Sequence, residues 1–151
     1  MKLEVLPQLF SVCKVADYGG IDLGAPFVFT GATDGEKSLV CPMVRVPANT
    51  VARSDGWRAF RVAGTLDFSL VGILASLSKT LAEAGVGIFA ISTFDTDYIL
   101  TKATDFDRVA AALTSAGHNL EYLPDGYSTQ SRREAENRRV ILGTPIRPML
   151  H

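Results

Sequence analysis

Histidine is almost missing from this chain: only His118 and the final residue, His151. Cysteine is as scarce, with Cys13 and Cys41 alone. Neither pair shows metal-ligand spacing. No Cys-His or Ser-His-Asp set suggests itself, so no catalytic residue, metal ligand or cofactor is nominated. Two cysteines do not build a disulfide framework, and both fall in predicted strands, where a thiol is expected to be buried and inert. A charge excess is lacking too: 15 Lys and Arg stand against 16 Asp and Glu, a net charge of -1. That gives no global attraction to nucleic acid or to an anionic membrane.

Long apolar runs are also absent. No window approaches the ~18 apolar residues that span a bilayer, and the most apolar helical stretch, 71–84, carries Ser76, Ser78, Lys79 and Glu83. No signal peptide is expected at the start, since Glu4 comes early and Pro7 and Gln8 interrupt the run. A cytoplasmic location is expected. The Gly19-Gly20 pair lacks the strand-to-helix setting and the Lys of a phosphate loop.

What is present is an alternation of strand-like and helix-like patterns. Residues 3–6 and 9–15 predict one long or two short strands around Pro7, and 26–30 and 38–41 predict two more, joined by a hairpin at Asp34-Gly35. Residues 43–55 predict irregular chain or a single helical turn, ending in the turn-like pair Asp55-Gly56. From Trp57 the rhythm changes. Residues 57–64 alternate as a strand, with Trp57, Ala59, Arg61 and Ala63 on one face. Ser69 is the expected N-cap of a helix in which Leu70, Ile73, Leu74, Leu77 and Leu81 recur at three- and four-residue spacing, and Gly85 is its stop. A strand over 86–94, a turn at Asp95-Thr96-Asp97 and a return strand over 98–101 follow. Thr104 and Asp105 are expected to cap a second helix with Phe106, Val109, Ala110 and Leu113 on one face, and 120–123 is a last strand. The order is β-α-β-β-α-β, an α+β ferredoxin-like unit with two helices on one face of a four-stranded antiparallel sheet. Beyond it the run 132–139 mixes acids and bases and reads as an exposed helix or a flexible tail.

Two polar patches sit in this frame: Thr65–Gly72, before the first helix, and Ile91-Ser92-Thr93-Phe94-Asp95-Thr96-Asp97-Tyr98-Ile99-Leu100. Together they resemble the ACT domain, the regulatory amino-acid-binding module. Ser-Thr-Phe-x-Thr-Asp before an apolar strand is similar to the subgroup in aspartate kinases and arginine sensors of the CASTOR type. Residues 29–42 resemble a divergent first half of small bacterial tandem-ACT proteins. The resemblance implies a divergent, β-rich ACT-like half at 1–55, an ACT domain at 56–124, and a charged tail at 125–151 that it does not cover. It also implies that the backbone around Ser92, Thr93 and Phe94 contacts a ligand, with Asp97 nearby.

Elementary chemistry agrees with that implication. A helix beginning at Ser69-Leu70-Val71-Gly72 offers unpaired amides and a positive dipole end to a carboxylate, and Gly72 permits close approach. Asp67, Asp95 and Asp97 are the candidates for a cationic group, and Phe68 and Phe94 for pocket walls. Each has a plainer reading. Asp95 and Asp97 shape a hairpin turn, Asp67 bonds loop amides, Ser69 caps the helix, and the aromatics pack in the core.

Three functions compete: an amino-acid-binding regulatory module acting by ligand-dependent association, an interaction domain with an empty site that mediates oligomerisation, and an RNA-binding sheet. The last needs exposed aromatic and basic residues on the central strands, and 86–91 carries no charge. Exposed sheet edges need cover, so a homodimer is expected, with an amino acid as ligand and neither nucleic acid nor membrane as partner.

Overall fold

The computed structural model describes residues 1–63 and 72–127. Its strands are β1 (Lys2–Val15), β2 (Phe29–Ala32), β3 (Lys37–Pro42), β4 (Thr50–Val62), β5 (Ile88–Ser92), β6 (Asp97–Lys102) and β7 (Asn119–Tyr122); its helices are α1 (Ile73–Glu83) and α2 (Phe106–Ser115). A 3-10 turn follows β3 at Met43–Arg45, and another follows β6 at Ala103–Asp105. All seven strands join one sheet in the order β2-β3-β1-β4-β6-β5, with β7 on β1.

β1 is one long strand rather than two. Its ladder with β4 is interrupted between Val5 and Leu9, where Pro7 has no N–H to donate. The start of β4 corrects the expected irregular chain over 43–55. Asp55-Gly56 is not a turn between elements. The ladder slips between Phe10 and Val12, and Gly56 sits there at φ 78, the mark of a glycine bulge that lets the strand run on. The bulge is held by side chains: the Ser11 hydroxyl and Arg53 Nε both donate to Asp55 Oδ1, and Lys102 Nζ reaches Ser54 Oγ at 2.8 Å and the Asp55 carbonyl at 3.0 Å.

The last strand differs from the expected four-stranded sheet. β7 does not pair with β4; it pairs in parallel with residues 2–5 of β1, which lie between them. β1 thus serves β7 with its first part and β3 with its second (Phe10–Lys14).

The helices cover one face. Leu77 and Leu81 of α1 and Val109 and Leu113 of α2 meet Leu3, Val5, Phe60, Val62 and Ile99 in the main core. On the same side of β1 and β3, Cys13, Val15, Leu39 and Cys41 are covered by the loop residues Tyr18, Ile21, Val28 and Val46. The opposite face is concave. Four strand spacings separate β2 from β6, ~19 Å in a flat sheet, yet the Phe29 and Tyr98 rings are 5.0 Å apart. The curl closes over Leu6, Phe10, Val40, Ala59 and Leu100. Phe27 enters this core at φ 62, unusual for a bulky residue; its ring is seated edge-on to Phe10 and under the Arg61 guanidinium.

An internal repeat emerges. The β2–β3 ladder pairs Phe29 with Val40 and Ala32 with Lys37; the β5–β6 ladder pairs Phe89 with Leu100 and Ser92 with Asp97. Each position is displaced by 60 residues, and so are the two 3-10 turns.

Candidate functional site

The turn between β5 and β6 is made by threonines. Thr93 N–H and its hydroxyl donate to the Thr96 carbonyl at 2.9 and 2.8 Å, and Thr96 N–H donates back to Thr93 Oγ1 at 3.3 Å. The turn therefore spans 93–96 and is not centred on 95–97. Phe94 lies in it rather than in a strand, and Asp97 begins β6 opposite Ser92. Ser92 and Thr93 are exposed, Asp97 is half-buried, and Phe94 is 52% exposed. Asp95 Oδ1 is buried without a hydrogen-bond partner among the described residues, an unusual state for a polar atom.

The other wall is the start of α1. The N-cap is Gly72, at φ 85 and without a side-chain cap, in place of the expected Ser69. The first intrahelical bond runs from Ser76 N–H to the Gly72 carbonyl at 2.8 Å. A Cβ at Gly72 would meet nothing within 4 Å, so its conformation, not crowding, asks for glycine. Asp67, Phe68, Ser69, Leu70 and Val71 lie outside the described residues. Topology brings the two walls to one end of the sheet. β4 and β5 are both antiparallel to β6, so they run the same way. The helix joining them starts where β4 ends, at the end of the sheet where Ser92 leads into the turn.

Thr96 was not among the expected site residues. Its hydroxyl donates to the Val62 carbonyl at 3.2 Å, tying the turn to the end of β4. Thr93-x-x-Thr96 is the only sequence trace of this arrangement, and it shows the turn but not the strand it is tied to.

Arg61, expected on a strand face, is 4% exposed. Its three nitrogens are engaged: Nε with Glu4 Oε1 at 3.0 Å, Nη1 with Tyr98 Oη and Nη2 with Tyr127 Oη, both at 3.1 Å. The rings of Phe27, Tyr98 and Tyr127 pack around the guanidinium. Burial works against its charge, and Tyr98 and Glu4 more than offset that, holding its pKa above the ordinary value. A buried cation with each nitrogen bonded to a different partner clamps β1, β4 and β6 to the chain that follows β7.

Elsewhere, burial pushes the Cys41 thiol up to about 11 and raises Cys13 as well, which leaves both protonated and unreactive. Among the described residues no group of three or more His, Cys, Asp and Glu side chains could hold a metal ion. No helix among them is long and apolar enough to cross a membrane. α2 and β7 line an open groove of about 590 Å³ with Ala110, Ala111, Thr114, His118 and Tyr122 among its walls; it includes none of the candidate ligand residues.

Comparison with known proteins bears on this arrangement. The ACT domain family profile matches residues 52–115, from β4 through α2. A solved structure from Agobacterium tumefaciens is 33% identical, with a TM-score of 0.73, over 82% of this chain and 93% of that one. A Vibrio cholerae protein of unknown function is 19% identical over 76% of this chain and 88% of its own, with a TM-score of 0.57. The regulatory subunit of aspartate kinase from Thermus thermophilus, in its ligand-free form, is 10% identical over 76% of this chain and 96% of its own, with a TM-score of 0.52. The last two show the fold alone. Comparison with curated proteins finds no match. The matched residues are those that build the helix-covered half and its threonine turn, and with them the chain belongs to the ACT domain family.

Proposed function

We propose that this protein is a regulatory module, without catalytic chemistry of its own, that binds an amino acid between the start of α1 and the β5–β6 turn. The observation that carries the reading is Asp95 Oδ1, buried and unpaired in the turn at the end of the sheet where α1 starts without a side-chain cap. A zwitterion fits that pair of walls: its carboxylate on the first-turn amides, its ammonium on the carboxylate of Asp95, with Asp97 close by in sequence. Gly72, Ser92, Thr93 and Phe94 line the same end of the sheet, and Asp67, Phe68, Ser69, Leu70 and Val71 are the chain segment that leads into the helix. Residues 1–55 and 56–124 act as its two halves, the second holding the ligand. The location is the cytoplasm, and neither nucleic acid nor membrane is a partner.

The output is ligand-dependent association into a homodimer. β5, at one edge of the sheet, carries Ile88, Phe89, Ala90, Ile91 and Ser92. It has no charge, proline or bulge of the kind that guards an edge. The same edge supports the second reading, an assembly domain whose ligand site stays empty. A thermal-shift screen against the standard amino acids separates the two. A ligand at a hundred times its dissociation constant adds about 2.7 kcal/mol, and gel filtration with that ligand should show a dimer. No shift with any amino acid would leave the assembly reading alone.

A further inference from the structure

We propose that Thr96 is a positioning residue for the ligand site, holding the β5–β6 turn against the end of β4 so that the Asp95 carboxylate is in place before a ligand arrives. The inference rests on the amino-acid reading above and deepens it. Thr96 is 7% exposed, whereas Ser92, Thr93 and Phe94 around it are exposed. Its backbone closes the turn through Thr93, and its hydroxyl leaves the turn altogether to bond Val62 at 3.2 Å. The end of β4 is anchored from the other side as well: Ala63 N–H donates to the Lys2 carbonyl at 3.0 Å. One side chain thus links the turn that carries Asp95 to the strand that leads towards α1.

The internal repeat supplies the control. In the β2–β3 turn Thr33 makes the same bonds to residue 36: its N–H donates to the Glu36 carbonyl at 2.9 Å, and Glu36 N–H donates to Thr33 Oγ1 at 3.1 Å. Residue 36 is exposed and has no tie to another strand among the described residues. Residue 35, the counterpart of Asp95, is glycine. The hairpin therefore forms without the tie. What the tie adds is a fixed relation between turn and β4, and it is present in the half that carries the unpaired carboxylate.

The test is calorimetric titration of the full chain with the standard amino acids, in wild type, Thr96→Val and Thr96→Ser. Valine keeps the shape and removes the hydroxyl; serine keeps the hydroxyl. Thr96→Val should weaken the bound amino acid about fivefold to tenfold, the size of one hydrogen bond's net contribution. Thr96→Ser should bind within about twofold of wild type. Amide exchange at Thr93 and Thr96 should quicken in the valine variant without ligand. If Thr96→Val does not fold, Thr96→Ala takes its place with the same expectation. Wild-type affinity in a folded valine or alanine variant, or a loss in serine equal to that in valine, overturns the positioning role and leaves the ligand reading standing. A wild-type chain that binds no amino acid overturns the ligand reading and this inference together.

Discussion

The β2–β3 and β5–β6 hairpins share a register, a threonine turn and a following 3-10 turn, all displaced by 60 residues. Their surroundings differ. The second hairpin lies under α1 and α2. In the first half the loop 16–28 stands where α1 would be, and the chain passes from a 3-10 turn directly to β4. The first turn, Thr33-Asp34-Gly35-Glu36, is exposed throughout; the second, Thr93-Phe94-Asp95-Thr96, buries its last residue and one oxygen of its carboxylate. The difference teaches that one hairpin serves two surroundings, and that only the second adds a helix start at its end of the sheet and a buried, unpaired carboxylate oxygen.

The largest expected effect probes the two coverings. Phe60→Ala, in the core beneath the helices, should cost about 3–5 kcal/mol in denaturant unfolding. Ile21→Ala, in the loop that covers Cys13 and Leu39, should cost about 1–2 kcal/mol, since the side chain is only half-buried. Equal losses would mean that the loop is as integral to the fold as the helices, and the contrast between the halves would fail.

A smaller effect compares the turns themselves. Thr33→Ala and Thr93→Ala each remove the side-chain bonds between the first and last residues of their turn, and Thr33→Ala also removes one from Gly35 N–H. Each should cost about 0.5–1.5 kcal/mol, but only Thr93→Ala should weaken the ligand. A ligand effect from Thr33→Ala would place function in the first half.

The smallest effect is on pH. Burial, then the Met1 ammonium, lowers the pKa of His118 below its ordinary 6.5. As pH falls through 6.5 the unfolded chain takes up this proton before the folded one does. The neutral imidazole therefore contributes stability above that pH and loses it below. His118 is only partly buried, so the slope is shallow. In wild type the melting temperature should fall slightly as pH drops below 6.5, and His118→Gln should remove that part of the fall. An unchanged slope in His118→Gln would assign it to other groups.

Much of the second half was legible. Apolar residues at three- and four-residue spacing and glycine stops located both helices, because an amphipathic stripe on a sheet is a local pattern. What was missed depends on partners distant in sequence. Asp55-Gly56 is turn-like by composition, and only the slip of β1 against β4 reveals the bulge. The pairing of β7 with residues 2–5 of β1 joins the two ends of the described chain. The repeat was hidden because only Phe29/Phe89 and Thr33/Thr93 keep their identity between the two hairpins; the register persists without the residues, and the pattern of burial persists along 38–41 and 98–101. At the candidate site, the Thr93–Asp97 patch was visible as polar chain, but the tie made by Thr96 was not, since it is a bond to a strand 34 residues away. The helix start fell three residues late because Gly72, with its positive φ, takes the cap position.

The most direct measurement is calorimetric titration of wild type, Asp95→Ala and Glu36→Ala with the amino acid that raises the melting temperature of wild type. One ligand should bind per chain, Asp95→Ala should abolish binding with its apo melting temperature little changed, and Glu36→Ala should bind as wild type does. Two ligands per chain, or an Asp95→Ala variant that keeps its affinity, would contradict the placement of the site in the second half.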